Sequence, residues 1–195
     1  SAVIGVAGEH MVRYANVMNG VKDSASGSGM GAVMGSKNLK AVAVRGTKDV
    51  AFARPDEYLA LCKEYIDGLM TRKWIRALGV IGTPLLIATH NEAGITRGAG
   101  GQGKPSMGEI GGLYPDMFLP FSVGMSSCQG CTVHCRHRHV VKEGRWATRG
   151  EGPENGGVSG LGTGLRIFNA ETVSYLADKC NRLGLTTSVS GVMSF

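Results

Sequence analysis

The chain has 195 residues, enough for one good hydrophobic core or two modest ones. It is 43% apolar and 18% charged, a globular composition, and no run of eighteen apolar residues offers itself to a bilayer, so no membrane partner is expected. The formal charge of +6 would suit nucleic acid, yet aromatics make up only 6% and no basic–aromatic stripe is present, so nucleic acid is not expected either.

In chain order, residues 1 to 18 read as strands: "AVIGVAG", then "HMVRYANVM", which alternates with the period of a half-buried strand. "GVKDSASGSGMG" (20–31) reads as a Gly/Ser loop. "LKAVAVRG" (39–46), an apolar run bounded by Lys and Gly, reads as a buried strand. Near residue 50 the character changes. "RPDEYLALCKEYIDGLMTR" predicts a helix with Pro55 near its start, acids in the first turn and an apolar stripe of Leu59, Cys62, Ile66, Leu69 and Met70. "TPLLIATHNEAG" predicts a second, with Thr83 as N-cap, Pro84 at N1 and Gly94 just past its end. Residues 95 to 125 are rich in Gly and Pro and read as loop. "RHVVKEGRWAT" reads as a hairpin turning at Glu143–Gly144, and "NAETVSYLADKCNRLG" as a third helix, capped by Asn169 and stopped by Gly184. The fold class is α+β: β-rich over residues 1–50, mostly α-helical over 51–195, with no internal repeat.

The start, "SAVIGVAGEH", has no initiator Met and lacks the basic stretch and long apolar core of a secretory leader. A fragment, or an engineered piece with its first residues left by cloning, is expected. The 31 glycines are about twice the usual share and lie among apolar runs, which favours close backbone approach over disorder. Five cysteines is an odd number, and three of them crowd too closely for a disulfide framework. Metal ligation in a reducing compartment, the cytoplasm, is the expectation.

Those three sit in "SSCQGCTVHCRHRH" (126–139), spaced C-x2-C-x3-C and followed by histidines. A structural zinc site wants four ligands, usually from two such knuckles or from one with a downstream His pair; here there is one cluster, with His134, His137 and His139 nearby. Iron–sulfur clusters take thiolates from a tight loop and often one more from far away. Reactive or idle thiols are the remaining alternative. No fourth ligand is evident, because Cys62 and Cys180 fall on apolar helix faces, where a cysteine is usually a small hydrophobe. Arg136, Arg138, Lys142, Arg145 and Arg149 crowd the following segment, as a solvated face or as a positive field that offsets an anionic cluster or guides an acidic partner. His90 and Asn91 read as surface or packing, Trp74 and Trp146 as core or interface.

"SGSGMGAVMGSKNLK" invites a nucleotide reading and fails it. Ala32 and Met34 stand where G-x-G-x-x-G needs glycine, and Ser36 precedes Lys37 where a Walker loop needs glycine. What is left is a loop whose amides could approach an anion, or a tight β-connection.

Taken together, "GAVMGSKNLKAVAVRGT" (31–47), "IGTPLLIATHNEAGI" (81–95), the C-x2-C-x3-C, "EGPE" (151–154) and "CNRLGLTTSVSG" (180–191) resemble the tungsten-containing aldehyde:ferredoxin oxidoreductase family, in the family's order and over most of the chain. "RGTKDVAFARPDEYLALCKEY" also resembles the tungsten subunit of the benzoyl-CoA reductases.

The resemblance implies a β-rich pterin-binding portion over 1–50, then a mostly helical domain over 51–195 that carries the cysteine motif. It implies tungsten or molybdenum between two pterins, magnesium joining the pterin phosphates, and a [4Fe-4S] cluster with Cys128, Cys131 and Cys135 as three ligands and a fourth from much later in the family's chain. The family's first pterin loop falls on Asp23, Ser24, Ala25, Ser26 and Gly27, with Asp23 and Gly27 where the family has arginines and a magnesium-binding carbonyl at Ser24. Its second, D-x-x-G-L-[CD], falls on Asn181 to Thr186, making Asn181, Leu185 and Thr186 cofactor contacts. Gly156 stands where aldehyde oxidisers carry an acid two positions beyond "GPE", so the catalytic acid/base is unassigned unless Glu154 or another group replaces it. The implied activity is oxidation of a small aldehyde to a carboxylic acid, with electrons leaving through the cluster to ferredoxin or another electron-transfer subunit, in a possible homo-oligomer. A benzoyl-CoA reductase-like subunit, a zinc-stabilised binding module and an incomplete piece are the alternatives.

Overall fold

The computed structural model describes residues 1–96, 98 and 103–188. Short antiparallel strands β1 (Ala2–Ile4), β2 (Val17–Asn19), β3 (Asp23–Ala25) and β4 (Ala41–Val42) make a sheet of order β3-β2-β1-β4. Two short helices, α1 (Val6–Glu9) and α2 (Met30–Ser36), lie beside it.

Part of the expected Gly/Ser loop is therefore α2, and Asp23–Ala25 is strand. Glycine here is a packing residue: a Cβ on Gly35 would stand 1.9 Å from the Gly8 carbonyl oxygen, and one on Gly31 2.5 Å from that of Asn16. Only a missing side chain lets these backbones meet. The strand expected through residues 10 to 18 shrinks to its last part, because α1 and a left-handed turn at Met11 (φ 54°) intervene. The run 39–46 is not a buried strand. It holds the two-residue edge strand β4, and Val44 is 86% exposed.

Helix α3 (Pro55–Met70) forms as its Pro55 start and acidic first turn predict, yet none of its residues is buried. Of its apolar stripe, Cys62, Ile66 and Leu69 are half-buried, while Leu59 and Met70 are exposed. An unforeseen helix, α4 (Lys73–Ile81), buries Ile75 and Leu78 but leaves Trp74 exposed. The next segment opens as a 3-10 turn, Thr83–Leu85, before α5 (Leu86–Glu92), and Thr83 is not the expected N-cap. Three more 3-10 turns follow between Glu109 and Phe121.

A second antiparallel sheet, order β5-β6-β7, consists of β5 (Ser122–Ser126), β6 (Arg136–Val141) and β7 (Thr148–Glu151); β6 and β7 are the expected hairpin. After a one-turn helix, α6 (Asn155–Gly157), and a wide π-turn (Val158–Gly162) comes α7 (Ala170–Leu183). Asn169 caps it by accepting from the Thr172 N–H at 2.8 Å, and Gly184 ends it in left-handed geometry, φ 74°.

The core gathers Val173 and Ala177 of α7, Ile87 of α5, Leu113, Phe118, Val158 and Leu161. Both sheets also attach to α7. At its end, the Asn16 N–H donates to the Gly184 carbonyl (2.7 Å), the Thr186 N–H to that of Tyr14 (3.3 Å), and Ala15 pairs with Leu185. On its flank, Asp178 accepts from His139 of β6 and Thr148 of β7, each at 2.8 Å. Among the described residues no helix is long and apolar enough to cross a membrane.

Candidate metal centre

The three cysteines occupy the turn between β5 and β6. It is closed by a Cys131 N–H to Cys128 carbonyl bond of 3.1 Å and by left-handed residues Gly130 (φ 72°) and His134 (φ 54°). The Val133 amide points at Cys131 Sγ, 3.5 Å away, the kind of donor that stabilises a thiolate. Cys128 is exposed, and Cys131 and Cys135 are half-buried. Burial first, then Glu154 and Cys131, push the Cys135 thiol above its ordinary range. Deprotonating it calls for a nearby positive charge, which a coordinated metal supplies.

Two of the three nearby histidines are committed elsewhere, while His134, inside the turn, is exposed. His137 pairs its Nδ1 with Ser122 Oγ (2.8 Å) and its Nε2 with the Ile81 carbonyl. His139, 1% exposed, faces acceptors with both ring nitrogens: the Gly152 carbonyl at 2.9 Å and Asp178 at 2.8 Å. Neither is free to complete a zinc site as it stands. Among the described residues no three His, Cys, Asp or Glu side chains are gathered as a preformed ion cage. The turn thus offers three sulfurs, an amide donor and the exposed His134, and its sulfur-rich set fits a soft thiolate-bound metal or an iron–sulfur group.

Arg136, next to Cys135, is buried and not part of a solvated face; Arg138, Lys142, Arg145 and Arg149 are exposed. Its Nη1 donates to both Asp23 carboxylate oxygens (3.0 and 2.9 Å), its Nη2 to the Ser127 carbonyl, and Glu151 lies at 3.5 Å. Burial opposes its charge, but Asp23, Glu151 and Cys128 outweigh that and raise its pKa.

The expected cofactor residues divide into groups. Asp23 reaches the cysteine turn through Arg136. Ser24 of β3 accepts a long bond from the Asn16 amide (3.5 Å), and the Asn16 backbone binds Gly184, so Ser24 lies one residue away from the Gly184–Thr186 segment. The Thr186 hydroxyl bonds Ser188 at 2.9 Å. Asn16 Oδ1 is buried with no partner among the described residues, a free acceptor between the two loops where a pterin amine would be satisfied. Ser26 and Gly27 are exposed, and a Cβ on Gly27 would meet nothing within 4 Å. Asn181 lines a different space, a cavity of about 470 Å³ shared with Gly5, Lys40, Arg149, Asp178 and Arg182.

Sequence reasoning missed a polar chain beside Cys135. Glu154 is held by the Lys22 ammonium and the Thr83 hydroxyl, the Asn155 N–H donates to Thr83 Oγ1 (2.9 Å), and Asn155 Nδ2 reaches His90 Nδ1 (3.1 Å). With both oxygens occupied, Glu154 is a latch between segments and a poor stand-in for an absent acid/base. A Cβ on exposed Gly156 would meet nothing within 4 Å, so that space is open.

Comparison with known proteins defines the class first: oxidoreductases. The family model described as aldehyde ferredoxin oxidoreductase, domains 2 and 3, matches residues 60–195, and that of the N-terminal domain matches residues 1–46. The chain belongs to the aldehyde ferredoxin oxidoreductase family. It is 32% identical to the tungsten-containing aldehyde ferredoxin oxidoreductase of Pyrococcus furiosus, over 97% of this chain and 31% of that protein. The corresponding figures for Pyrococcus horikoshii are 34%, 99% and 32%. A solved structure, the active site complex BamBC of benzoyl coenzyme A reductase in complex with 1,5-dienoyl-CoA, superposes with a TM-score of 0.73 at 27% identity, over 95% of this chain and 29% of that one. The chain spans about a third of the length of the curated relatives it matches.

Proposed function

We propose that this chain forms part of an oxidoreductase that converts a small aldehyde to its carboxylic acid and delivers the electrons to ferredoxin or a comparable electron-transfer subunit. Cys128, Cys131 and Cys135 would hold a [4Fe-4S] cluster. Ser24 with magnesium, and Ser26, Gly27, Asn181, Leu185 and Thr186, would hold the phosphates and rings of a tungsten or molybdenum bis-pterin. When bound, that group supplies the two-electron chemistry and the cluster the one-electron exit. The chain supplies thiolates, backbone amides and the geometry that keeps the two loops and the turn together. On this reading residues 1–50 end the pterin-binding portion and 51–195 carry the cluster.

The single observation that carries the reading is that one strand, β3, is tied to both places: Arg136 joins its Asp23 to the cysteine turn, and Asn16, whose backbone binds Gly184, reaches its Ser24. A turn of thiols far from both loops would not support it. The solved benzoyl coenzyme A reductase complex, and Gly156 in place of an acid, favour a second reading: a ring-reducing subunit acting on a coenzyme A thioester.

The test is an anaerobic assay of the full-length protein with a viologen dye and a panel of aliphatic and aromatic aldehydes, beside 1,5-dienoyl-CoA in the oxidative direction. Dye reduction with aldehydes alone supports the first reading. Turnover of the thioester alone replaces it with the second.

A further inference from the structure

Arg136 stands between the thiolate turn and β3. It leaves β6 one residue beyond Cys135, yet its Nη2 binds the carbonyl of Ser127, one residue before Cys128, so a single guanidinium ties the two ends of the turn. Its Nη1 is given to Asp23. Only 8% of Arg136 is exposed, and its Nε is buried with no partner among the described residues. Around it lie the carboxylates of Asp23 and Glu151, so a buried cation is opposed by two carboxylates while its other end holds the residue before an expected ligand.

We propose that the Arg136–Asp23 pair is a charge-setting and positioning device for the iron–sulfur group held by the turn. The inference rests on the cluster reading above. Reducing a cluster by one electron adds negative charge, so a fixed cation nearby stabilises the reduced form and a fixed anion the oxidised form. In the native pair the two effects largely offset each other, which makes them separable. Arg136→Gln leaves Asp23 and Glu151 unopposed and lowers the reduction potential. Asp23→Asn frees the Arg136 charge and raises it. The double variant returns towards the native value. Arg136→Lys keeps the charge while losing the fork, so it stays closer to native than Arg136→Gln. A pair that only braced the fold would shift both single variants in the same sense or not at all.

The experiment is a redox titration followed by electron paramagnetic resonance on full-length protein purified anaerobically, with iron and sulfide measured on the same samples. Each single variant is expected to change the one-electron equilibrium about tenfold, about 59 mV, in opposite directions. Asp23 is half-exposed, with 49% of its side chain accessible, so Asp23→Asn remains informative even where Arg136→Gln does not fold. Iron and sulfide bound at native stoichiometry with Asp23→Asn unshifted or lowered would overturn the inference and leave the cluster reading intact. Native protein without iron and sulfide would remove the cluster reading, and the inference with it.

Discussion

At the scale of single residues, buried His139 and Asp178 form a constrained group with half-buried Thr148. His139 gives both ring nitrogens to acceptors and Asp178 collects two donors, so the pair is satisfied only as a set. Asp178→Ala takes away the acceptor shared by His139 and Thr148 and is expected to cost about 1–3 kcal/mol, read as a lower denaturant midpoint. Gly150 belongs to the same set: a Cβ there would fall 1.9 Å from Asp178 Oδ1, so Gly150→Ala should cost about 1–3 kcal/mol in the same titration. The thiols differ in a way that can be read chemically. Burial raises the pKa of Cys180, which packs beside the core, so at any given pH it carries less thiolate than an ordinary cysteine. In metal-free protein, iodoacetamide at pH 7.5 should label exposed Cys128 well before Cys180, as located by peptide mass mapping. Equal rates would mean that the α7 face is not packed as described.

At the scale of elements, some boundaries were readable and others were not, for definable reasons. Helix α7 carries its own start and stop, Asn169 and Gly184, and the hairpin carries Glu143–Gly144 between two alternating runs, so local chemistry sufficed. Asn169→Ala removes the acceptor for the Thr172 N–H and hydroxyl and should cost about 1 kcal/mol, measured by chemical denaturation. Helix α2 defeated the same reasoning because its glycines look like breakers, while their use is long-range: Gly35 packs on Gly8 and Gly31 on Asn16. The candidate site divides the same way. Three cysteines within eight residues were legible as a ligand turn. The Lys22–Glu154 pair and the Thr83–Glu154 bond span 132 and 71 positions, and no local pattern encodes such partners. Arg136 was lost among its neighbours, since only the fold distinguishes one buried arginine from four exposed basic side chains.

At the scale of the molecule, α7 is the common support: its flank binds the second sheet and its end binds the first. That end is a backbone contact. A Cβ on Gly5 would lie 2.3 Å from the Leu183 carbonyl oxygen, so Gly5→Ala should loosen the first sheet while leaving the α7 core in place. Hydrogen exchange should then quicken in β1 and β2 and stay slow around Val173 and Ala177; uniform acceleration would show that the two regions unfold as one unit. At this scale the proposal is that the cysteine turn holds an iron–sulfur group beside a heavy-metal pterin site. Its most direct test is elemental analysis of full-length, anaerobically purified protein for iron, acid-labile sulfide, tungsten, molybdenum and zinc, beside a variant with Cys128, Cys131 and Cys135 all changed to Ser. The expected result is about four iron and four sulfide together with tungsten or molybdenum in the native protein, and loss of the iron and sulfide in the variant. Stoichiometric zinc with neither iron nor sulfide would contradict it.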